Sequence, residues 1–224
     1  MTSITVENYL KEVYQEQQRL TSERDLVPIG RLAAAMGVTP GTGTSMVKSL
    51  AKAGLIRYEP RRGVRLTQAG TKLALQVVRR HRLIELFLVE VLGLDWSEVH
   101  AEAEELEHAI SEKVLKRIDT YLGHPTADPH GDPIPPQTGM PLRQNLARLT
   151  DCPTDVPLRI VRVLDQNPEL LRYMGGHGLI PGMCVTVAPR QLAADAVTVR
   201  PTNRKTVTIG ANTAAKILVS PEDV

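Results

Sequence analysis

Apolar residues recur at Ile4, Val6, Tyr9, Leu10, Val13 and Tyr14 across residues 4–20, the spacing of one helix face. A second helix is expected from Ile29 to Met36, entered through Pro28 and closed by Gly37. The stretch VTPGTGTS, rich in Gly and hydroxyls, reads as a turn that runs into a third helix, SMVKSLAKAGL. Its apolar positions are Met46, Val47 and Leu50, and Gly54 stops it. Two short strands follow, LIRYEP and GVRLT, separated by the basic turn Arg61-Arg62-Gly63. Helix, helix, turn, helix, hairpin is the order of a winged helix-turn-helix.

Beyond it, Leu73, Val77, Leu83, Leu86 and Leu88 mark one long helix from Gln68 to Leu92, ended by Gly93. A further helix is expected from about Ser97 to Tyr121, with Ser97 as its N-cap. Gly123 to Pro141 is crowded with Pro, Gly and polar residues and reads as a linker. The texture then changes. LRIVRVL, CVTVAP, AVTVR, VTIG and KILVS are short, β-branched and punctuated by turn residues. They suggest a small SH3-like β-barrel with one short helix at Pro168–Met174. The expected fold is therefore mainly α with a small β C-terminal domain. Its three parts are a winged helix-turn-helix (1–72), a helical domain with a Pro-rich linker (73–141) and the SH3-like β-barrel (142–224).

Composition sharpens this picture. The 224 residues are 42% hydrophobic but only 3% aromatic, so the cores must be built from Leu, Val, Ile and Ala. So few aromatics also argue against base-stacking recognition of single strands or RNA. The net charge of +2 conceals a basic stretch near residues 57–82 followed by an acidic one near 98–112. No apolar run approaches the ~18 residues of a membrane span, and the N-terminus has neither a signal core nor a transit character. Cys152 and Cys184 stand far apart and in no CxxC arrangement, which fits reduced, structural thiols. A cytoplasmic protein with no membrane partner is expected.

A recognition helix needs short polar side chains where it meets base edges and basic ones for phosphates. Thr39, Thr42, Thr44 and Ser45 supply the first, and Lys48 and Lys52 the second. Arg61 and Arg62 at the hairpin tip are placed for an adjacent backbone or minor groove. The plainer reading of the same residues is a capped turn beside a solvated basic face.

The densest chemistry lies in the long helices. His81 and Glu85 stand four apart, on one face of the first. In the next, His100, Glu104, Glu107 and His108 fall at roughly 0°, 40°, −20° and 80°, at ~100° per residue. Glu102 and Glu105 fall at roughly 200° and 140°, on other faces. Two imidazoles and two carboxylates on one stripe are neutralised efficiently by a divalent cation. Imidazole and carboxylate without thiolate suit Mn²⁺ or Fe²⁺ better than a structural Zn²⁺ site. A solvated face of Glu–Lys pairs is the competing account.

RHRLIELFLVEVLGLDWSEVHAEAEELEHAISEKVLKRI closely resembles the metal-binding and dimerisation helices of the diphtheria toxin repressor/manganese transport regulator family. VENYLKEVYQ resembles that family's first helix, and HPTADPHGDPIP its linker. The resemblance covers the whole chain in order, strongly through residue 141 and loosely in the β-rich tail. It implies a dimeric, non-enzymatic transcriptional regulator of metal-homeostasis genes that binds a double-stranded DNA operator, with Mn²⁺ as corepressor and Fe²⁺ as the alternative. By position it places one metal site at Asn8, His81, Glu104, Glu107 and His108. Glu104 is the manganese-type choice, where iron-type members carry Cys. Asn8 departs from both the Asp and the Met of those branches, and Lys11 replaces an acid found in some two-domain members. The resemblance places a second site at Glu85 and His100 with Asp128 and His130 of the linker, completed by Asp165 or Glu169 from the β-rich domain.

Three other classes compete. A metalloenzyme would use the same ligands, but the chain has no HExxH and no evident nucleophile–base pair. A winged-helix module that never touches DNA would lack steep salt dependence. A regulator with a small organic ligand would need an apolar pocket, which an acid-rich stripe does not offer.

Overall fold

A computed structural model describes residues 3–20, 22, 25–141, 144–189 and 195–222. The chain divides into two compact units, residues 1–81 with 135–140, and residues 82–134 with 141–224.

The first unit opens with α1 (Ile4–Gln18), capped by Ser3, whose Oγ accepts the Val6 N–H. It continues through α2 (Ile29–Ala35) and α3 (Pro40–Lys52) into an antiparallel hairpin of β1 (Ile56–Glu59) and β2 (Gly63–Leu66). The first turns of α4 (Gln68–Glu90) complete it. Its apolar core draws on every element: Tyr9, Leu10 and Val13 of α1, Leu32 of α2, Val47 and Leu50 of α3, Ile56 and Val64 of the hairpin, and Val78 of α4.

One expectation changes here. The stretch read as a turn before the third helix is helical from Pro40 onward. Thr39 is the N-cap, its Oγ1 accepting the Thr42 N–H at 3.2 Å, and Pro40 occupies the first helical position, where its missing N–H costs nothing. Gly43 is buried because α3 crosses α2 closely there. A Cβ at Gly43 would lie 3.1 Å from the Ala33 Cβ. This glycine therefore marks a helix crossing and not a turn.

The second unit takes over α4 at Arg82 and adds α5 (Val99–Leu106) and α6 (Glu112–Tyr121). The single helix expected from Ser97 to Tyr121 is thus two. Ser111 explains the break, since its Oγ accepts the Val114 N–H and caps a new helix. Ile84, Leu88, Val99 and Ala103 form one small apolar cluster, and Leu83, Leu115 and Ile134 another.

The β-rich part holds β3 (Ala147–Arg148), β4 (Leu158–Val163), β5 (Cys184–Val187), β6 (Ala196–Pro201), β7 (Val207–Gly210) and β8 (Ile217–Pro221). They form an antiparallel sheet of order β3-β8-β4-β5-β6-β7, joined by α7 (Pro168–Gly176) and α8 (Ala211–Ala214). Alternate strand residues such as Leu158, Ile160, Val185, Val187, Val197 and Val199 point into one core. Leu171 and Met174 of α7 close it, and Trp96 packs against it from the α4–α5 loop. The β4–β8 register shifts between Ile160 and Arg162, a bulge, and Val163 just beyond it donates its N–H to the His130 carbonyl of the linker.

Candidate metal centre and DNA-binding surface

Glu85 is fully buried on α4, where the period of an amphipathic helix would otherwise seat an apolar residue. Its Oε1 lies 3.1 Å from the Nδ1 of His100 on α5, and its Oε2 lies 4.0 Å from the Nδ1 of His130. Glu85, Asp128 and His130 are all buried, and each offers a ligand atom within 4.8 Å of the others. The linker shapes two of these groups. Asp128 Oδ1 accepts the N–H groups of His130 (2.8 Å) and Asp132 (2.9 Å), a tight turn that carries His130 inward.

The same turn leaves Asp128 Oδ2 without a hydrogen-bond partner, with Arg82 Nε 3.5 Å away. His130 Nδ1 is likewise buried without a hydrogen-bond partner. Burial first, then the charges of Asp132 and Glu85, raise the Asp128 carboxyl well above its ordinary range, against the weaker pull of Arg82 and the Asp132 N–H. Two buried carboxylates, Glu85 and Asp128, with an orphaned oxygen and an orphaned ring nitrogen beside them, are a donor set suited to a divalent cation. The residues present fit such an ion.

Along α5, His100 Nε2 stands 3.7 Å from Glu104 Oε1. Glu102 and Glu105 are exposed, as the helical arithmetic requires. Glu107 and His108, however, lie at the C-cap and just beyond it, because α5 ends at Leu106. Glu107 is fully buried and pairs with His108 Nε2 at 3.2 Å. Asn8 is half-buried on α1, and His81 is buried on α4 one turn before Glu85.

Asp165 is not brought into the Glu85 cluster. Its Oδ2 pairs with Lys216 Nζ at 2.5 Å and its Oδ1 accepts the Asn167 N–H. Partial burial opposes ionisation, yet the Lys216 hydrogen bond and the Asn167 N–H together hold its carboxyl below the usual range. Glu169, the other candidate from this domain, is exposed on α7. Three participants escaped the sequence reading. Arg82 reaches Asp128 and Asp132 (3.5 Å each) and donates to the Pro133 carbonyl at 2.6 Å. Asp132 also meets Arg162 of β4. Trp96 accepts, through its carbonyl, a hydrogen bond from His130 Nε2 at 2.8 Å. The D-P-H-G-D spacing of the linker was the available signal for the turn, but it says nothing of Trp96 or Arg82.

On the first unit, Thr39, Thr42, Ser45 and Lys48 are exposed on α3, with Lys52 at its last turn. Thr44 is half-buried, and its hydroxyl donates to the Pro40 carbonyl at 2.7 Å, so it is committed to the helix. Arg61 and Arg62 are exposed at the hairpin tip. Arg61 has φ +65°, and Arg62 is paired with Glu59.

The family models that match are the iron dependent repressor N-terminal DNA binding domain (residues 1–64), the iron dependent repressor metal binding and dimerisation domain (67–136) and the FeoA domain (147–221). The iron-dependent repressor IdeR of Mycobacterium tuberculosis is 36% identical over 197 residues, covering 82% of this chain and 83% of that protein. The chain belongs to the diphtheria toxin repressor/manganese transport regulator family. The diphtheria toxin repressor of Corynebacterium diphtheriae is 31% identical over 169 residues, 73% of this chain and 72% of its own length. Among solved structures, a manganese-dependent transcriptional repressor in complex with manganese superposes with a TM-score of 0.87 at 36% identity, covering 97% of this chain and all of that one. This family member thus has an iron-named relative and a manganese-named structural neighbour at the same identity. Similarity alone does not choose between the metals.

Proposed function

We propose that the chain is a cytoplasmic, dimeric repressor of metal-uptake genes, with Mn²⁺ as corepressor. The observation that carries the metal part is the buried cluster of Glu85, Asp128 and His130, with Asp128 Oδ2 and His130 Nδ1 left without hydrogen-bond partners. Groups so placed are costly unless an ion satisfies them. His100 would join them as the second site. The first site would draw on Asn8, His81, Glu104, Glu107 and His108, and Glu104 supplies a hard carboxylate that favours Mn²⁺ over softer choices. Bound there, a divalent cation would supply fixed positive charge beside the carboxylates of Glu104 and Glu107. In this reading, Thr39, Thr42 and Ser45 face base edges, with Thr44 supporting the helix start, while Lys48, Arg61 and Arg62 hold phosphates.

The test is an anaerobic gel shift on DNA upstream of metal-transporter genes with Mn²⁺, Fe²⁺ or chelator. A shift with Mn²⁺ that chelator abolishes is expected, whereas equal binding without metal refutes the proposal. A stronger response to Fe²⁺ moves the chain to the iron branch, which its 36% identical mycobacterial relative represents.

A second measurement tests the DNA surface. Lys48→Ala should lower the slope of log affinity against log salt by about one per protomer contact, with little change in sequence preference. An unchanged slope would remove Lys48 from the phosphate contacts.

A further inference from the structure

Three strands of contact converge on His130 from outside its own turn. The Trp96 carbonyl accepts from Nε2 at 2.8 Å, and the Trp96 ring stacks on the imidazole with centroids 5.5 Å apart. A carbonyl can only accept, so Nε2 carries a proton, and Nδ1 is the ring nitrogen turned toward Glu85. The β-rich domain holds the other side. Val163 of β4 donates its N–H to the His130 carbonyl at 2.9 Å, and Arg162 reaches the Gly131 carbonyl (3.4 Å) and Asp132 (3.5 Å). Gly131, at φ +83°, lies so close to β4 that a Cβ there would stand 1.8 Å from the Val161 carbonyl oxygen. Val161 sits in the β4 bulge, where the register shifts between Ile160 and Arg162. Trp96 is seated by the same domain, since a Cβ on Gly175 of α7 would lie 2.9 Å from its Nε1.

We propose that the β-rich domain tunes metal binding at the second site through the Val163 N–H and the Arg162 side chain, which with Trp96 and Gly131 fix the orientation and tautomer of His130. The inference rests on the reading of Glu85, Asp128 and His130 as a metal site. Groups that orient a ligating histidine commonly contribute one to two orders of magnitude in affinity. The domain thereby has a role in metal binding through the groups that hold His130 in place. The chain's only tryptophan becomes a reporter of that site.

The experiment uses the full-length chain carrying Glu104→Ala and His108→Ala, so that the proposed first site is disabled. Free Mn²⁺ is followed by electron paramagnetic resonance and Trp96 by its emission. The parent should bind Mn²⁺ with quenching of Trp96. Gly131→Ala and Arg162→Met should each weaken binding by about tenfold or more. Asp155→Ala, which breaks an exposed pair with Arg200 on the same domain, should leave binding unchanged. If Gly131→Ala does not fold, as judged by circular dichroism, Arg162→Met alone carries the comparison. Unchanged affinity in folded Arg162→Met, or Trp96 emission that ignores saturating Mn²⁺, would overturn the proposal. So would long-range ¹H–¹⁵N spectra showing His130 protonated on Nδ1. A parent that binds no Mn²⁺ also overturns it. The wild-type gel shift would then still decide the repressor reading by itself.

Discussion

Replacing Glu104 and His108 with Ala together should reduce Mn²⁺-dependent operator binding by about a thousandfold, to the level seen with chelator. The size follows from the two regimes of such complexes. Specific protein–DNA affinities run near 10⁻⁸–10⁻¹¹ M and non-specific ones near 10⁻⁴–10⁻⁶ M, roughly three decades or more apart. A corepressor that selects the operator-competent arrangement can contribute no more than its differential affinity for that arrangement. Removing two of the proposed first-site ligands should forfeit nearly all of it. The fold should survive, because Ala is the best helix former at position 104, and position 108 lies beyond the end of α5. Glu102→Ala with Glu105→Ala, which removes two exposed acids of the same helix, should bind like wild type. Gel-shift titration at fixed salt checks all three chains. Unaltered Mn²⁺-dependent affinity in the Glu104/His108 variant would reject the first-site assignment. By linkage, operator DNA should tighten Mn²⁺ binding to the wild-type chain by the same factor that Mn²⁺ tightens DNA binding.

Much of this architecture was readable from local pattern. The winged helix-turn-helix follows from helical spacing, Pro28, Gly37 and the Arg61–Gly63 turn, all short-range signals. The failures have a common cause. Gly43 looks like a turn residue in isolation and is a contact residue in the fold, because its reason is Ala33 on another helix. Ser111 divides the expected long helix through a cap that the surrounding apolar period does not announce. At the candidate site, Glu85, His100 and Glu104 could be grouped by counting residues along helices. Trp96 and Arg82 could not, because their roles depend on a linker turn folding back between α4, α5 and β4. Asp165 shows the converse. Family position offered it as a ligand, but Lys216, 51 residues away, is its partner.

The second large effect is a reversal of sign. Asp128→Asn should stabilise the metal-free chain and destabilise it relative to wild type once Mn²⁺ is added. Without metal, the Asp128 carboxylate is buried beside Glu85 and Asp132, and among the described residues Arg82 and two N–H groups answer it. An Asn oxygen keeps both N–H contacts and removes one buried charge from beside Glu85 and Asp132, so the cluster is less costly to bury without metal. Linkage fixes the pH dependence. The folded-state pKa of Asp128 is raised, so the folded chain holds this proton more tightly than the unfolded one. Wild-type stability without metal therefore falls as pH rises from the ordinary carboxylate range through the raised folded value. The Asn variant lacks this titration. Its advantage should be absent near about pH 3 and fully present above the folded pKa, where the wild-type carboxyl is ionised. With Mn²⁺ at about a hundred times its dissociation constant, an intact second site adds about 2.7 kcal/mol, which the variant largely forgoes. Urea unfolding with chelator and with Mn²⁺, each across pH, reads both halves. A variant less stable than wild type without metal above that range would mean that the buried carboxylate supports the fold, and the cluster would lose its standing as a metal site.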